Sequence, residues 1–200
     1  MPQRRKPSQR RSQERVALIL RATAEILRTG GIAEVTTNSI ARQAGIPVSS
    51  IYQYFPNKVE ILAALYRDYL AGVEAVMDEF NTPERLALPW EQYFTKSIAA
   101  VYKQETREQI DRELDLGLAL FPELMAIEQA HREKMAHRLA HTLRQLGSSW
   151  STRRLKRLGL FLYEISTATW RYRSQHADGD ELLDWETAAM LATVGRCMND

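Results

Sequence analysis

The sequence predicts an all-α fold. Three observations carry this: apolar residues recur at steps of three and four over long stretches, no stretch alternates apolar and polar residues as a half-buried strand would, and the nine Gly and seven Pro in 200 residues fall mostly between the periodic segments. A hydrophobic content of 44% supports a real core and is too high for a disordered chain. No apolar run approaches the roughly 18–20 residues needed to span a bilayer, and the basic N-terminus lacks the apolar stretch of a secretory signal. The single cysteine, Cys197, permits no internal disulfide and suits a reducing cytoplasm.

Residues 1–11 are basic and polar, carry Pro2 and Pro7, and are expected to be a disordered arm. A helical period starts near Ser12, with Val16, Ile19, Leu20, Ile26 and Leu27 on one stripe and Gly30-Gly31 as its stop. Thr36-Thr37 offers a cap for a short second helix ending at Ala44-Gly45. Pro47 suits the first turn of a third helix, which Phe55-Pro56 ends. Asn57 with Glu60 three residues on has the form of a capping box. It opens a long helix whose stripe is Val59, Leu62, Tyr66, Tyr69, Val73, Val76 and Phe80. After the Asn81-Thr82-Pro83 break, helices are expected near 88–104, 106–119, 122–146, 151–176 and 180–198, about nine in all. The expected division is an arm over 1–11, a headpiece over 12–56 and a body over 57–200.

Charge is distributed unevenly. Residues 1–60 hold ten Lys and Arg against four Glu, a surplus of +6; since the whole chain carries +2, the remainder sums to −4. A basic head on an acidic body points to a polyanionic partner for the head, with a solvated basic tail as the alternative.

Residues 37–56, TNSIARQAGIPVSSIYQYFP, read as two short helices flanking a tight turn. Ala41 is small where the helices approach, Gly45 supplies a turn that penalises other residues, and Ile51 follows six later, the spacing of a helix-turn-helix. Ile40, Ala44, Ile46, Ile51 and Tyr54 are placed to form its miniature core. The second helix should then enter the major groove of a DNA duplex. Val48, Ser49 and Ser50 are small enough to bring its backbone close to base edges. The serine hydroxyls can donate or accept, and Val48 can touch a thymine methyl. Gln53 and Arg42 can reach a base or a phosphate, Tyr52 and Tyr54 can reach phosphates, and Lys58 adds charge. Thr37, Asn38 and the N-terminal amides of the second helix form a further anion site. The arm Arg4-Arg5-Lys6 can add minor-groove contacts or attract phosphates without specificity.

The run from Arg15 to Leu62 resembles the DNA-binding domain of the tetracycline-repressor (TetR) family. The segments that carry the resemblance are ILRATAEILRTGGIAEVTTNSIARQAGIP and IYQYFPNKVEIL. The family pattern of an aliphatic residue, Tyr, a polar residue, an aromatic and Phe, then Lys, is met by Ile51, Tyr52, Gln53, Tyr54, Phe55 and Lys58. Pro47 departs from it, Ser being more usual there. The resemblance covers about a quarter of the chain; the rest matches only in length and helical layout. It implies a three-helix headpiece, a long linker helix and a helical body that binds a ligand and dimerises. The function implied is a sequence-specific regulator of transcription, by default a repressor that a small molecule releases from its double-stranded operator. A body that binds a protein partner instead remains open.

The last two helices of the family usually pair with a second subunit. Leu155, Leu158, Leu162, Ile165 and Thr169 form a stripe on one, and Leu183, Thr187, Met190, Val194 and Cys197 on the other. These stripes are expected to form the homodimer interface, or else to face the subunit's own core. Tyr66, Phe94, Tyr102, Phe121, Phe161 and Trp170 are nominated to line a pocket for a small apolar or aromatic effector, or else are plain core. His137 and His141, four apart with His131 on the same helix, have metal-binding spacing, yet no nearby Cys or acid completes a site, and a polar surface is the expectation. No cofactor is expected, and no P-loop, GxSxG, CxxC or HExxH motif suggests an enzyme.

Overall fold

The computed structural model describes residues 7–107, 109–176 and 179–199, and among these it holds helices and the turns between them, with no strand. In order they are α1 (Pro7–Gly30), a 3-10 turn (Ile32–Glu34), α2 (Thr37–Ala44), α3 (Val48–Tyr52), α4 (Lys58–Phe80), α5 (Pro83–Leu86), α6 (Trp90–Glu105), α7 (Asp111–Leu120), α8 (Pro122–Gln145), α9 (Thr152–Gln175) and α10 (Gly179–Met198). The four-residue α5, capped by the Thr82 side chain with Pro83 behind it, is the one helix the periodicity did not announce. It is too short to show a period. The first helix begins at Pro7, five residues ahead of the expected Ser12.

The chain divides into two compact units, Met1–Asp68 with Glu113–Leu124, and Tyr69–Arg112 with Met125–Asp200. The division expected at residues 56 and 57 differs in two ways: the first turns of α4 belong to the headpiece unit, and so does a segment more than forty residues further along the chain.

In the first unit Ile19, Ile26 and Leu27 of α1, Ile40 and Ala41 of α2, Ile51 of α3 and Ile61, Leu62 and Tyr66 of α4 are buried. Leu114, Leu118 and Leu124 add to these from the distant segment. Gly117 lets the elements pack closely there: a Cβ would lie 3.1 Å from Leu124 Cδ2 and 3.2 Å from Ile32 Cδ1, a tight fit.

In the second unit the core is built from Phe80, Tyr93, Phe94, Ala140, Leu143, Leu155, Leu162, Met190, Val194 and Cys197. Tyr93 meets both Phe80 and Phe94 edge to face, with centroids 5.5 and 5.4 Å apart. Its hydroxyl donates to Asn81 Oδ1 at 2.6 Å, just past the end of α4. Helices α8 and α9 touch closely at Gly159, where a Cβ would lie 2.9 Å from the Ala136 carbonyl oxygen.

This core corrects one expectation. Leu155, Leu162, Met190, Val194 and Cys197, read as dimer-interface residues, are buried within the subunit, with Leu158 and Ile165 packed against them. Helix α10 packs on both α9 and α6, and the buried members of the two stripes join that core. Thr169 spends its hydroxyl on the Ile165 and Ser166 carbonyls of its own helix, and Leu183 and Thr187 are half-buried. The solvent faces carry other apolar groups: Phe161 and Ala168 on α9, and Trp185, Ala188 and Ala192 on α10.

Candidate nucleic-acid interface

Helix α2 starts with a reciprocal cap. Thr36 Oγ1 accepts from the Ser39 amide at 3.0 Å, and Ser39 Oγ accepts from the Thr36 amide at 2.9 Å. Ser39 Oγ also donates to the Glu34 carbonyl at 2.7 Å, fastening the helix to the 3-10 turn before it. At its other end Gly45 adopts φ 64, the left-handed conformation that stops the helix and turns the chain. Pro47 is the N-cap of α3 at φ −61, one position ahead of the helix proper.

The burial pattern of α3 is that of a presented helix. Ile51 is fully buried, while Pro47, Ser49, Tyr52 and Gln53 are exposed and Val48, Ser50 and Tyr54 are half-buried. One side chain anchors the helix and the small and hydroxyl-bearing ones face out. Tyr52, 54% exposed, brings its hydroxyl 3.2 Å from Thr37 Oγ1 at the start of α2. The two nominated hydroxyls therefore form one polar point beside the amides of α2, suited to a phosphate oxygen. Asn38 and Arg42 on α2 are also exposed.

Lys58 is half-buried at the first turn of α4. Its ammonium lies 5.9 Å from the centroid of Phe121, at the outer range of a cation–π contact. The arm residues Arg4, Arg5 and Lys6 lie outside the described residues. Asn57 Oδ1 accepts from the Glu60 amide at 3.0 Å, the cap expected for α4.

The six residues nominated for an effector are divided between the two units. Tyr66 and Phe121 belong to the headpiece unit, the other four to the second unit. Phe94 packs into the core edge to face with Tyr93. Phe161, 55% exposed, stands on the outer face of α9, so it lines no enclosed site within the subunit. The periodicity could not separate these cases, because an aromatic looks the same in sequence whether it faces in or out.

Trp170 and Tyr102 each border polar groups the sequence reading missed. Trp170 Nε1 donates to the Tyr69 hydroxyl at 2.9 Å, and that hydroxyl donates to Asp111 Oδ1 at 3.1 Å. Arg173, nearly buried, donates to Glu105 Oε2 at 2.8 Å and Glu186 Oε2 at 2.7 Å, with its guanidinium 4.7 Å from the Tyr102 centroid. Two carboxylates thus clasp one largely buried guanidinium, and Asp111 lies near enough to feel its charge. Burial pushes Glu105 up to about 8, opposed by Arg173 and reinforced by Glu186 and Asp111. Burial raises Asp111 as well, against the hydrogen bonds from Tyr69 and Trp170.

His137 and His141 are exposed, whereas His131 is buried with Nδ1 3.1 Å from Glu74 Oε1. Among the described residues no group of three His, Cys, Asp or Glu is arranged to hold a metal ion.

A buried-anchor helix presenting small and hydroxyl side chains, set after a capped partner helix by a left-handed glycine, defines a helix-turn-helix. Residues 19–65 match the family described as "Bacterial regulatory proteins, tetR family". Over that stretch, about a quarter of the chain, the sequence is similar to the DNA-binding regulators of that family. The fatty acid metabolism regulator protein of Bacillus subtilis (strain 168) is 28% identical over 100 residues, 45% of this chain and 52% of that protein. The match therefore spans about half the length of that curated relative. A TetR-family transcriptional regulator from Streptomyces coelicolor superposes with a TM-score of 0.65 at 21% identity, covering 92% of this chain and 99% of that one. The regulator FadR from Bacillus subtilis in complex with stearoyl-CoA superposes with a TM-score of 0.64 at 16% identity, covering 89% and 97%. At these identities the structural likeness speaks for the fold. No helix among the described residues is long and apolar enough to cross a membrane.

Proposed function

We propose that this chain acts as a homodimeric repressor whose two headpieces hold a DNA operator and let go when the body binds a small apolar or aromatic molecule. The observation that carries the reading is the α3 surface: Ser49, Tyr52 and Gln53 exposed over a fully buried Ile51. One such helix reads only a few base pairs, so useful discrimination needs a second headpiece one or more helical turns away. Support for the second copy comes from the outer faces of α9 and α10. Phe161 and Trp185 are 55% and 61% exposed, large aromatics that water solvates poorly, with Ala168, Ala188 and Ala192 leaving room beside them. These residues replace the buried stripes as the dimer contact.

The effector reading draws on the aromatic residues of the body and on the stearoyl-CoA complex of a structural neighbour. A long-chain acyl thioester is accordingly the first probe to use. In mechanism, the effector must bind the DNA-released state more tightly than the DNA-bound one, by a coupling of about 1–3 kcal/mol.

The test is selection of duplexes from a random pool with the full chain, followed by titration of the complex with stearoyl-CoA. Enrichment of a two-half-site sequence that Ser49→Ala weakens supports the operator reading. Failure to enrich any sequence refutes it. Enrichment with no response to acyl thioesters or to other apolar and aromatic compounds leaves the DNA reading standing and refutes the effector.

A further inference from the structure

Glu113 reaches the headpiece across 81 residues of sequence, with Oε2 accepting from the Ile32 amide at 2.6 Å. That amide opens the 3-10 turn between α1 and α2, and the turn has no side-chain cap of its own: Gly31 stands at the N-cap position. The contact is fitted on both sides. A Cβ on Gly31 would lie 3.0 Å from the same Glu113 oxygen, and Gly31 itself takes φ 77. One turn further along α7, a Cβ on Gly117 would lie 3.2 Å from Ile32 Cδ1. All four residues belong to one compact unit.

We infer that Glu113 is a positioning residue for DNA binding, its carboxylate standing in for the missing cap of the turn that sets α2. The inference rests on the headpiece being the DNA-binding element. The path is short and bonded. Glu113 holds the Ile32 amide, the turn ends in Glu34, and the Glu34 carbonyl accepts from Ser39 Oγ inside the first turn of α2. Through Gly45 the axis of α2 sets that of α3. A charge-assisted bond to a backbone amide is stronger and more directional than a neutral one, which suits a group that fixes a corner. Because α7 supplies the carboxylate, the angle of α2 depends on where the first turns of α7 lie.

The experiment compares the full-length wild type with Glu113→Ala and Glu113→Gln. Each is measured against the duplex the wild type enriches from a random pool and against versions with the half-site spacing changed by one and two base pairs. Hydrogen exchange at the Ile32 amide is followed without DNA. Glu113→Ala is expected to speed Ile32 exchange, weaken binding by about tenfold and flatten the preference for one spacing. Glu113→Gln keeps an acceptor oxygen and is expected to restore most of the affinity and the spacing preference. Equal losses in both variants with an unchanged spacing preference overturn the inference, since the effect would then be one of charge or stability. Unchanged binding in Glu113→Ala overturns it too, whatever happens at Ile32. A wild type that enriches no duplex refutes the DNA-binding reading itself, a separate outcome.

Discussion

Replacing Glu105 by Gln should flatten the dependence of stability on pH between about 6 and 8. Glu105 sits against Arg173 from α9, Glu186 from α10 and Asp111 from α7, with Tyr102 on its own helix and Tyr69 from α4 close to the same groups. Tyr163 from α9 also feels its charge. One guanidinium cannot neutralise three carboxylates in a buried setting, so the cluster is most favourable with a proton on Glu105. Its folded value is pushed up to about 8 from the ordinary 4.5. The raised value sets the sign. Stability is highest below the unfolded value, falls as pH climbs through the interval, and levels off above the folded value.

Within the interval the native state holds one proton that the unfolded chain has released. The unfolding free energy then drops by at most about 1.4 kcal/mol per pH unit. For a cooperative unit of about 120 residues, the entropy of unfolding near the midpoint is about 0.25 kcal/mol/K, so the wild type should lose roughly 5 °C per pH unit. Glu105→Gln leaves an amide oxygen for Arg173 and no proton to exchange. Its melting temperature should change by less than about 2 °C per unit over the same range. Calorimetry at pH 6, 7 and 8 in constant ionic strength gives both slopes. Parallel slopes in the two proteins, or a wild type that grows more stable as pH rises, would refute the reasoning.

Other outcomes follow from the burial pattern. Ile51→Ala removes a fully buried anchor and should cost about 2–4 kcal/mol, read as a lower headpiece melting transition in circular dichroism together with lost DNA binding. Arg42→Ala, an exposed change, should leave melting untouched and reduce the slope of log affinity against log salt by about one, measured by fluorescence anisotropy at several salt concentrations. Leu155→Glu and Phe161→Glu should separate core from interface. The first buries a charge and unfolds the second unit, while the second leaves the subunit folded and shifts sedimentation toward a monomer.

The headpiece was legible because its determinants are local. Thr36, Gly45 and Pro47 act through bonds and dihedrals within a few positions of themselves, and the structure finds each near its expected place. The helices of the body were legible to within a few residues for the same reason. Glu113 carried no such signal. Its partner is a backbone amide, which leaves no trace in side-chain composition, and the two are separated by 81 positions. The polar cluster was hidden for a related reason: Tyr69, Glu105, Asp111, Trp170, Arg173 and Glu186 stand on five different helices, and each alone reads as an ordinary surface or core residue.

The dimer stripes show where periodicity stops being informative. A stripe at three- and four-residue spacing states that one face of a helix is dry; it does not state what dries it. On α9 and α10 the strongest stripes close the subunit's own core, because a two-sided helix at the edge of a bundle must satisfy the core first. What remains for a partner is the opposite face, and it is recognisable by a mismatch: Phe161 and Trp185 are large and apolar but interleaved with Arg157, Glu164 and Asp184, so their face has no clean period. An interface helix therefore shows as a helix with too many apolar residues for one stripe, and the ones to suspect are those left over after the core has been assigned. By that criterion the partner surface proposed for this chain was present in the sequence, though it could be isolated only once the inward faces of α9 and α10 were known.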